Sequence, residues 1–84
     1  MSYTVRMYTL STCSHCKNAK RFMDQHRIQY NFTDVDLLTG DARTIIMDEV
    51  RKYNPKCTFP TILVGEKVII GFNESALRGV LELE

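Results

Sequence analysis

Apolar and polar residues alternate along residues 3–8, Tyr3-Thr4-Val5-Arg6-Met7-Tyr8, with the period of a half-buried β-strand. Past a short break the period changes. Over residues 17–27, Ala19, Phe22, Met23 and His26 recur at three- and four-residue intervals, which places them on one face of a helix. A second strand is expected over residues 29–36, with Tyr30, Phe32 and Val35 as its core candidates. Thr39-Gly40-Asp41 breaks the pattern again. Thr39 or Asp41 can cap a helix in which Ala42, Ile45, Ile46, Val50 and Tyr53 recur, and Asn54-Pro55 stops it. Two short apolar runs, residues 61–64 and 67–70, flank Gly65-Glu66 and predict a hairpin around a tight turn. After Gly71-Phe72, Asn73 is a good N-cap for a last helix that buries Ala76, Leu77, Val80 and Leu81.

The resulting order, β-α-β-α-β-β-α, describes an α/β chain. Its first two strands run parallel through a right-handed crossover and its last two form an antiparallel hairpin, giving a four-stranded mixed sheet with helices on both faces. A length of 84 residues suits one domain, residues 1–84, with no internal repeat, linker or low-complexity segment. The net charge of +1, with both signs interspersed, leaves no basic stripe for nucleic acid. The apolar runs are short, and the N-terminus lacks a charged region followed by an apolar stretch. Neither a membrane span nor an export signal is expected, and a reducing cytoplasm is the expected compartment.

Cys13-Ser14-His15-Cys16 falls between the first strand and the first helix, at the strand end where open α/β sheets place their sites. Thiols at i and i+3 meet across one helical turn, so the pair can cycle between dithiol and disulfide. The unpaired N–H groups and positive dipole end of the helix favour a Cys13 thiolate, and Lys17, with His15 when protonated, adds to that field. Cys13 is the candidate nucleophile. Cys16, one turn further in, is the candidate resolving thiol that releases the reduced substrate. A zinc site needs about four ligands, and beyond this pair the chain has only Cys57, His15 and His26, so no metal site is expected. A purely structural disulfide fits poorly with the odd cysteine count. Cys57 reads as a half-buried inert thiol, and Met7, Met23 and Met47 as core.

Three stretches, Tyr8-Thr9 with Cys13-Ser14-His15-Cys16-Lys17, then Thr58-Phe59-Pro60-Thr61, then Ile70-Gly71-Phe72, resemble the glutaredoxins of the thioredoxin-fold superfamily. The resemblance covers essentially the whole chain. It implies a thioredoxin-like fold, a thiol–disulfide oxidoreductase active in cell redox homeostasis and electron transport, and a cis Phe59-Pro60 bond facing the cysteines. A cis X-Pro turn exposes the backbone before it. The N–H and C=O of Phe59, with Thr58, can then hold an extended protein substrate or the cysteinyl part of glutathione beside Cys13. Without the resemblance, Pro60 reads as an ordinary trans proline at a strand's start.

The sequence departs from the usual glutaredoxin at several positions. Ser14 and His15 replace Pro-Tyr between the cysteines, Leu10 stands where a lysine is common, Phe72 replaces the second glycine of a Gly-Gly pair, and Ser75 sits where the last helix's cap has an aspartate. In the family those positions help hold glutathione's carboxylates, so the resemblance implies a weakened glutathione site. Gly71, Phe72, Asn73 and Glu74, at the start of the last helix, still offer backbone N–H groups to a carboxylate. Gly71-Phe72 is similar instead to the redoxin that donates electrons to ribonucleotide reductase and is itself reduced by a flavin-dependent reductase. The implied partners are disulfide-containing proteins, with glutathione or a reductase protein as electron donor, no tightly bound cofactor, and a monomer as the default. An iron–sulfur cluster carrier is a further branch, disfavoured because such members typically keep one active-site cysteine and this chain has Cys16. Ser14, His15, Lys17, Thr58, Phe59, Pro60, Gly71, Phe72, Asn73 and Glu74 are the binding candidates around the thiols. An imidazolium at His15 is expected to make the couple less reducing than a thioredoxin's. Phe72 reads equally as a partner-facing platform or as a plug ahead of the last helix.

Overall fold

Alternation and helical spacing resolve into seven main elements in the computed structural model, which describes residues 4–82. They are β1 (Val5–Thr9), α1 (Ser14–Gln25), β2 (Asn31–Asp34), α2 (Gly40–Tyr53), β3 (Thr61–Val64), β4 (Lys67–Ile70) and α3 (Glu74–Val80), with one 3₁₀ turn, Val35–Leu37, between β2 and α2. Tyr3, expected to open the first strand, lies outside the described residues. The sheet order is β2-β1-β3-β4, with β1 and β2 parallel and the other two pairings antiparallel. This is the thioredoxin-like arrangement expected from the sequence. No described helix is long and apolar enough to cross a membrane.

The pleat of the sheet sorts the core into two layers. Val5 and Met7 of β1 and Ile62 and Val64 of β3 point to one face, where Ala19, Phe22 and Met23 of α1 and Leu77 and Leu81 at α3 cover them. Tyr8 and Leu63 point to the other face, against Val35 and Val50 of α2. Each fully buried Met7, Met23, Ile62 or Leu77 contributes about 1.5–3 kcal/mol relative to exposure. The hairpin forms as expected, with Gly65 at φ +59 in its turn, a conformation that costs glycine little. Asn73 caps α3, its side-chain Oδ1 accepting from the Ala76 N–H at 3.1 Å.

Two sequence expectations are corrected. The second strand is shorter than residues 29–36, because the chain turns into the 3₁₀ segment at Val35, and it is Val35 within that segment that is buried. Phe32 stays 48% exposed, since β2 is an edge strand; its ring instead receives Lys20 of α1, with Nζ 3.8 Å from the ring centroid. In α2 the buried stripe is rotated from the expected one. Val50, with half-buried Ile46 and Met47, faces the sheet, whereas Ala42, Ile45 and Tyr53 are exposed.

Candidate active site

The segment that leaves β1 is fixed before it reaches the thiols. The Ser11 backbone N–H and hydroxyl both donate to the Asp36 carboxylate, the former at 2.9 Å, and the Cys13 N–H closes a turn on the Leu10 carbonyl at 3.2 Å. Cys13 then takes an extended conformation (φ −83, ψ 122) as N-cap of α1, and its Sγ accepts from the Cys16 N–H at 3.4 Å. The Cys13 sulfur thus performs the capping that serine or aspartate usually performs. Cys16 is fully buried, with its Sγ accepting from the Leu10 N–H at 3.4 Å. No disulfide joins the two sulfurs.

Their environments push the two thiols apart. Burial acts to raise the Cys13 thiol, but hydrogen bonds from the Cys16 thiol and from the Cys16 and His15 backbone N–H groups outweigh it, leaving Cys13 below the usual thiol value. Cys16 is pushed up to about 12, chiefly by burial; the Leu10 N–H and the Lys20 charge oppose this, while the neighbouring Cys13 adds to it. His15 is exposed and acts on Cys13 through its amide. Ser14 and Lys17 are also exposed, in the first turn of α1. Labelling of the reduced native protein with iodoacetamide at pH 7 is therefore expected to modify Cys13 well before Cys16, with Cys16 appearing only after denaturation. Peptide mass mapping reads this directly, and equal labelling of the two would contradict the assigned order.

The Phe59-Pro60 bond, just ahead of β3, is cis, and the pairing of Thr61 with Tyr8 sets it beside the end of β1 that leads to the thiols. Asn54 holds the approach to it from inside. This residue is 1% exposed, and its Nδ2 lies 3.0 Å from the Thr58 carbonyl, 2.9 Å from Thr58 Oγ1 and 3.2 Å from Thr61 Oγ1. Its Oδ1 accepts from the Lys56 N–H at 3.2 Å, and Thr61 Oγ1 donates to the Thr58 carbonyl at 2.8 Å. Thr58 is exposed, Phe59 is half-buried against the core layer of Tyr8, Val35, Val50 and Leu63, and Pro60 is buried. The Gly71 N–H donates to the Pro60 carbonyl at 2.8 Å, tying the end of β4 to the proline turn. At that junction Gly71 has φ +80, the region where side chains are strained.

Phe72 is half-buried on the α1/α3 layer, edge-on to Phe22 at 6.1 Å. Glu74 pairs with Arg78 at 3.0 Å and shares with Phe72, Asn18 and Arg21 a shallow pocket of about 230 Å³ along α1. A groove of about 850 Å³ is lined by Thr4, Asp24 and Tyr30 at the opposite end of β1 from the thiols. Asn54, Asp36 and the Lys20–Asp34 pair are the residues that sequence reasoning missed. Asn54 read only as a helix stop, and its partners lie four and seven residues away across a turn without periodicity.

Comparison with known proteins points the same way as this geometry. The glutaredoxin family profile matches residues 5–69. The fold is similar to the crystal structure of methanoredoxin from Methanosarcina acetivorans, with a TM-score of 0.88, 34% identity, and coverage of 93% of this chain and 83% of that one. It is similar to the glutaredoxin from Methanosarcina mazei Go1, with a TM-score of 0.86, 38% identity, and coverage of 93% and 77%. A glutaredoxin-like protein in the rubredoxin operon of Clostridium pasteurianum is 26% identical over 78 residues, spanning 93% of this chain and 97% of that protein. A low thiol at a helix N-terminus, a buried thiol one turn later, a cis proline just ahead of β3 and these likenesses agree: the chain belongs to the glutaredoxin family.

Proposed function

We propose that this chain reduces disulfides by a two-thiol cycle, and the observation that carries the reading is the unequal pair at the start of α1. Cys13, half-buried and held below the usual thiol value, supplies the thiolate; Cys16, buried and pushed up, is spared from side reactions until it is needed. The Cys13 thiolate attacks one sulfur of a substrate disulfide, and the other sulfur leaves as a thiolate. Cys16 then gives up its proton and attacks Cys13 Sγ. This forms the Cys13–Cys16 disulfide and releases the second substrate sulfur, which takes up a proton. Two electrons and two protons from a donor restore the dithiol.

The substrate class we infer is a protein disulfide presented as an extended segment, in a cytoplasmic setting. The main chain at Thr58 and Phe59, braced by Asn54, supports such pairing beside Cys13. Glutathione mixed disulfides are a second substrate class. For the electron donor, three features favour a reductase protein over glutathione. Leu10 is an apolar residue packed against the core layer under α2, Glu74 puts a carboxylate at the start of α3, and the Asn73 side chain already caps that helix. An anion therefore meets little attraction there. On this reading ribonucleotide reductase is a fitting acceptor.

A paired assay tests the reading. Protein-disulfide reduction is expected to run faster with NADPH and a flavin-dependent thioredoxin-type reductase than with glutathione and glutathione reductase. Faster turnover with glutathione would move the chain to the glutathione-dependent branch, and no turnover with either donor would remove the reading.

A further inference from the structure

Behind Cys16 lies a charged cluster that the two-thiol cycle leaves without a role. Lys20 follows Cys16 by four residues on α1, so the two share one face, one turn apart. Its Nζ sits 3.2 Å from Asp34 Oδ1, with side-chain exposures of 21% and 15%, and 3.8 Å from the centre of the Phe32 ring. Asp34 ends β2 in register with Thr9 at the end of β1. The buried Thr9 hydroxyl donates to Asp34 Oδ1 and also approaches the Thr33 carbonyl at 3.2 Å. The residue after Thr9 is Leu10, whose N–H holds the Cys16 sulfur. One cluster therefore fixes both the charge beside Cys16 and the strand end that supplies its hydrogen bond.

We propose that Lys20, clamped between Asp34 and Phe32, is a positioning residue for the resolving half-reaction: its charge favours the Cys16 thiolate at the moment Cys16 attacks the mixed disulfide on Cys13. The proposal rests on the two-thiol reading above. Burial opposes ionisation of Cys16, and the groups that act on it are Cys13, the Leu10 N–H and Lys20. Once Cys13 is bonded to substrate it carries no thiolate charge, so the Leu10 N–H and Lys20 remain to favour the anion. Asp34 tempers Lys20's charge while fixing its place, and Phe32 shields the ammonium without neutralising it. In the step assisted, Cys16 Sγ loses its proton, bonds to Cys13 Sγ, and the substrate sulfur departs with the bonding pair and takes up a proton.

The test uses reduced full-length protein and an aromatic disulfide, 5,5′-dithiobis(2-nitrobenzoate), whose cleavage is coloured. Attack by Cys13 releases the first equivalent of thiolate, and attack by Cys16 releases the second. Lys20→Met keeps the aliphatic stem but removes the charge. Without that charge a smaller fraction of Cys16 ionises, and each tenfold loss of thiolate is offset about threefold by greater intrinsic nucleophilicity. The second phase is therefore expected to slow about threefold, with the alkaline limb of its pH–rate profile displaced upward. The first phase stays within about twofold, because Lys20 is not among the groups acting on Cys13. Lys20→Arg, which retains charge, is expected to restore the second phase. A second phase unchanged in Lys20→Met overturns the proposal. So does slowing of both phases alike, or a failure of arginine to rescue where the melting temperature is normal. If the unsubstituted protein releases only one equivalent, the two-thiol reading itself fails, an outcome distinct from any of these.

Discussion

Replacing Cys13 with serine is expected to reduce turnover of every disulfide substrate to the uncatalysed background, while the protein remains folded. A serine hydroxyl at the N-cap is among the best capping groups, so α1 keeps its start, and the half-buried site accepts the smaller oxygen without leaving a cavity in either core layer. What is lost is the nucleophile, since a hydroxyl does not ionise near neutral pH without an adjacent base. Replacing Cys16 with serine is expected to behave differently. Cys13 still attacks, the mixed disulfide accumulates because nothing resolves it, and mass spectrometry of the trapped adduct should show one substrate bound through Cys13. Full activity in Cys13→Ser on any disulfide would place the chemistry elsewhere in the chain.

The largest effect on stability is expected from Asn54→Ala. The substitution removes the donor that serves the Thr58 carbonyl and the hydroxyls of Thr58 and Thr61, and the acceptor of the Lys56 N–H, in a position 1% exposed. Alanine supplies none of these and leaves a small void. A loss of about 2–4 kcal/mol follows from the uncompensated buried groups, which lowers the melting temperature by about 10–25 °C for a chain of this size. Activity is expected to fall in the surviving folded fraction as well, because Asn54 braces the segment that presents Thr58 and Phe59. Arg51→Ala serves as the control; its exposed pair with Asp48 contributes less than about 0.5 kcal/mol. Equal melting temperatures for the two variants would show that the network carries little of the fold's stability.

Legibility of the chain divides along a physical line. Features set by neighbours in sequence were readable: the hairpin at residues 61–64 and 67–70, the Asn73 cap, and the placement of Cys13 at a helix N-terminus. Each depends on residues a few positions apart. The cis state of Phe59-Pro60 came from family resemblance, since the local pattern alone favours trans. Features set by which surface covers which were not readable. Ile45 and Ile46 are adjacent and equally apolar, so helical spacing admits two stripes, and only the position of α2 over Tyr8 and Leu63 selects Ile46. Phe32 alternates correctly for a core strand yet lies on an edge, a fact of sheet order that no window along the sequence contains. Asn54 and Asp34 draw their meaning from partners brought close by the turn and by strand pairing.

That the sulfur of Cys13 is also the cap of α1 couples two quantities usually measured apart, the potential of the disulfide and the unfolding free energies of the two redox forms. With the folded pKa lowered, the thiolate's stabilising share is fully present above the ordinary thiol value and is lost as pH falls through the lowered one. Around the cycle of folding and oxidation, whatever the capped thiolate adds to the reduced fold must be subtracted from the tendency of the pair to oxidise. Chemical denaturation of reduced and oxidised protein over a range of pH is thus a potentiometer. The difference between the two unfolding free energies should track, pH by pH, the displacement of the couple from that of the same dithiol in the unfolded chain.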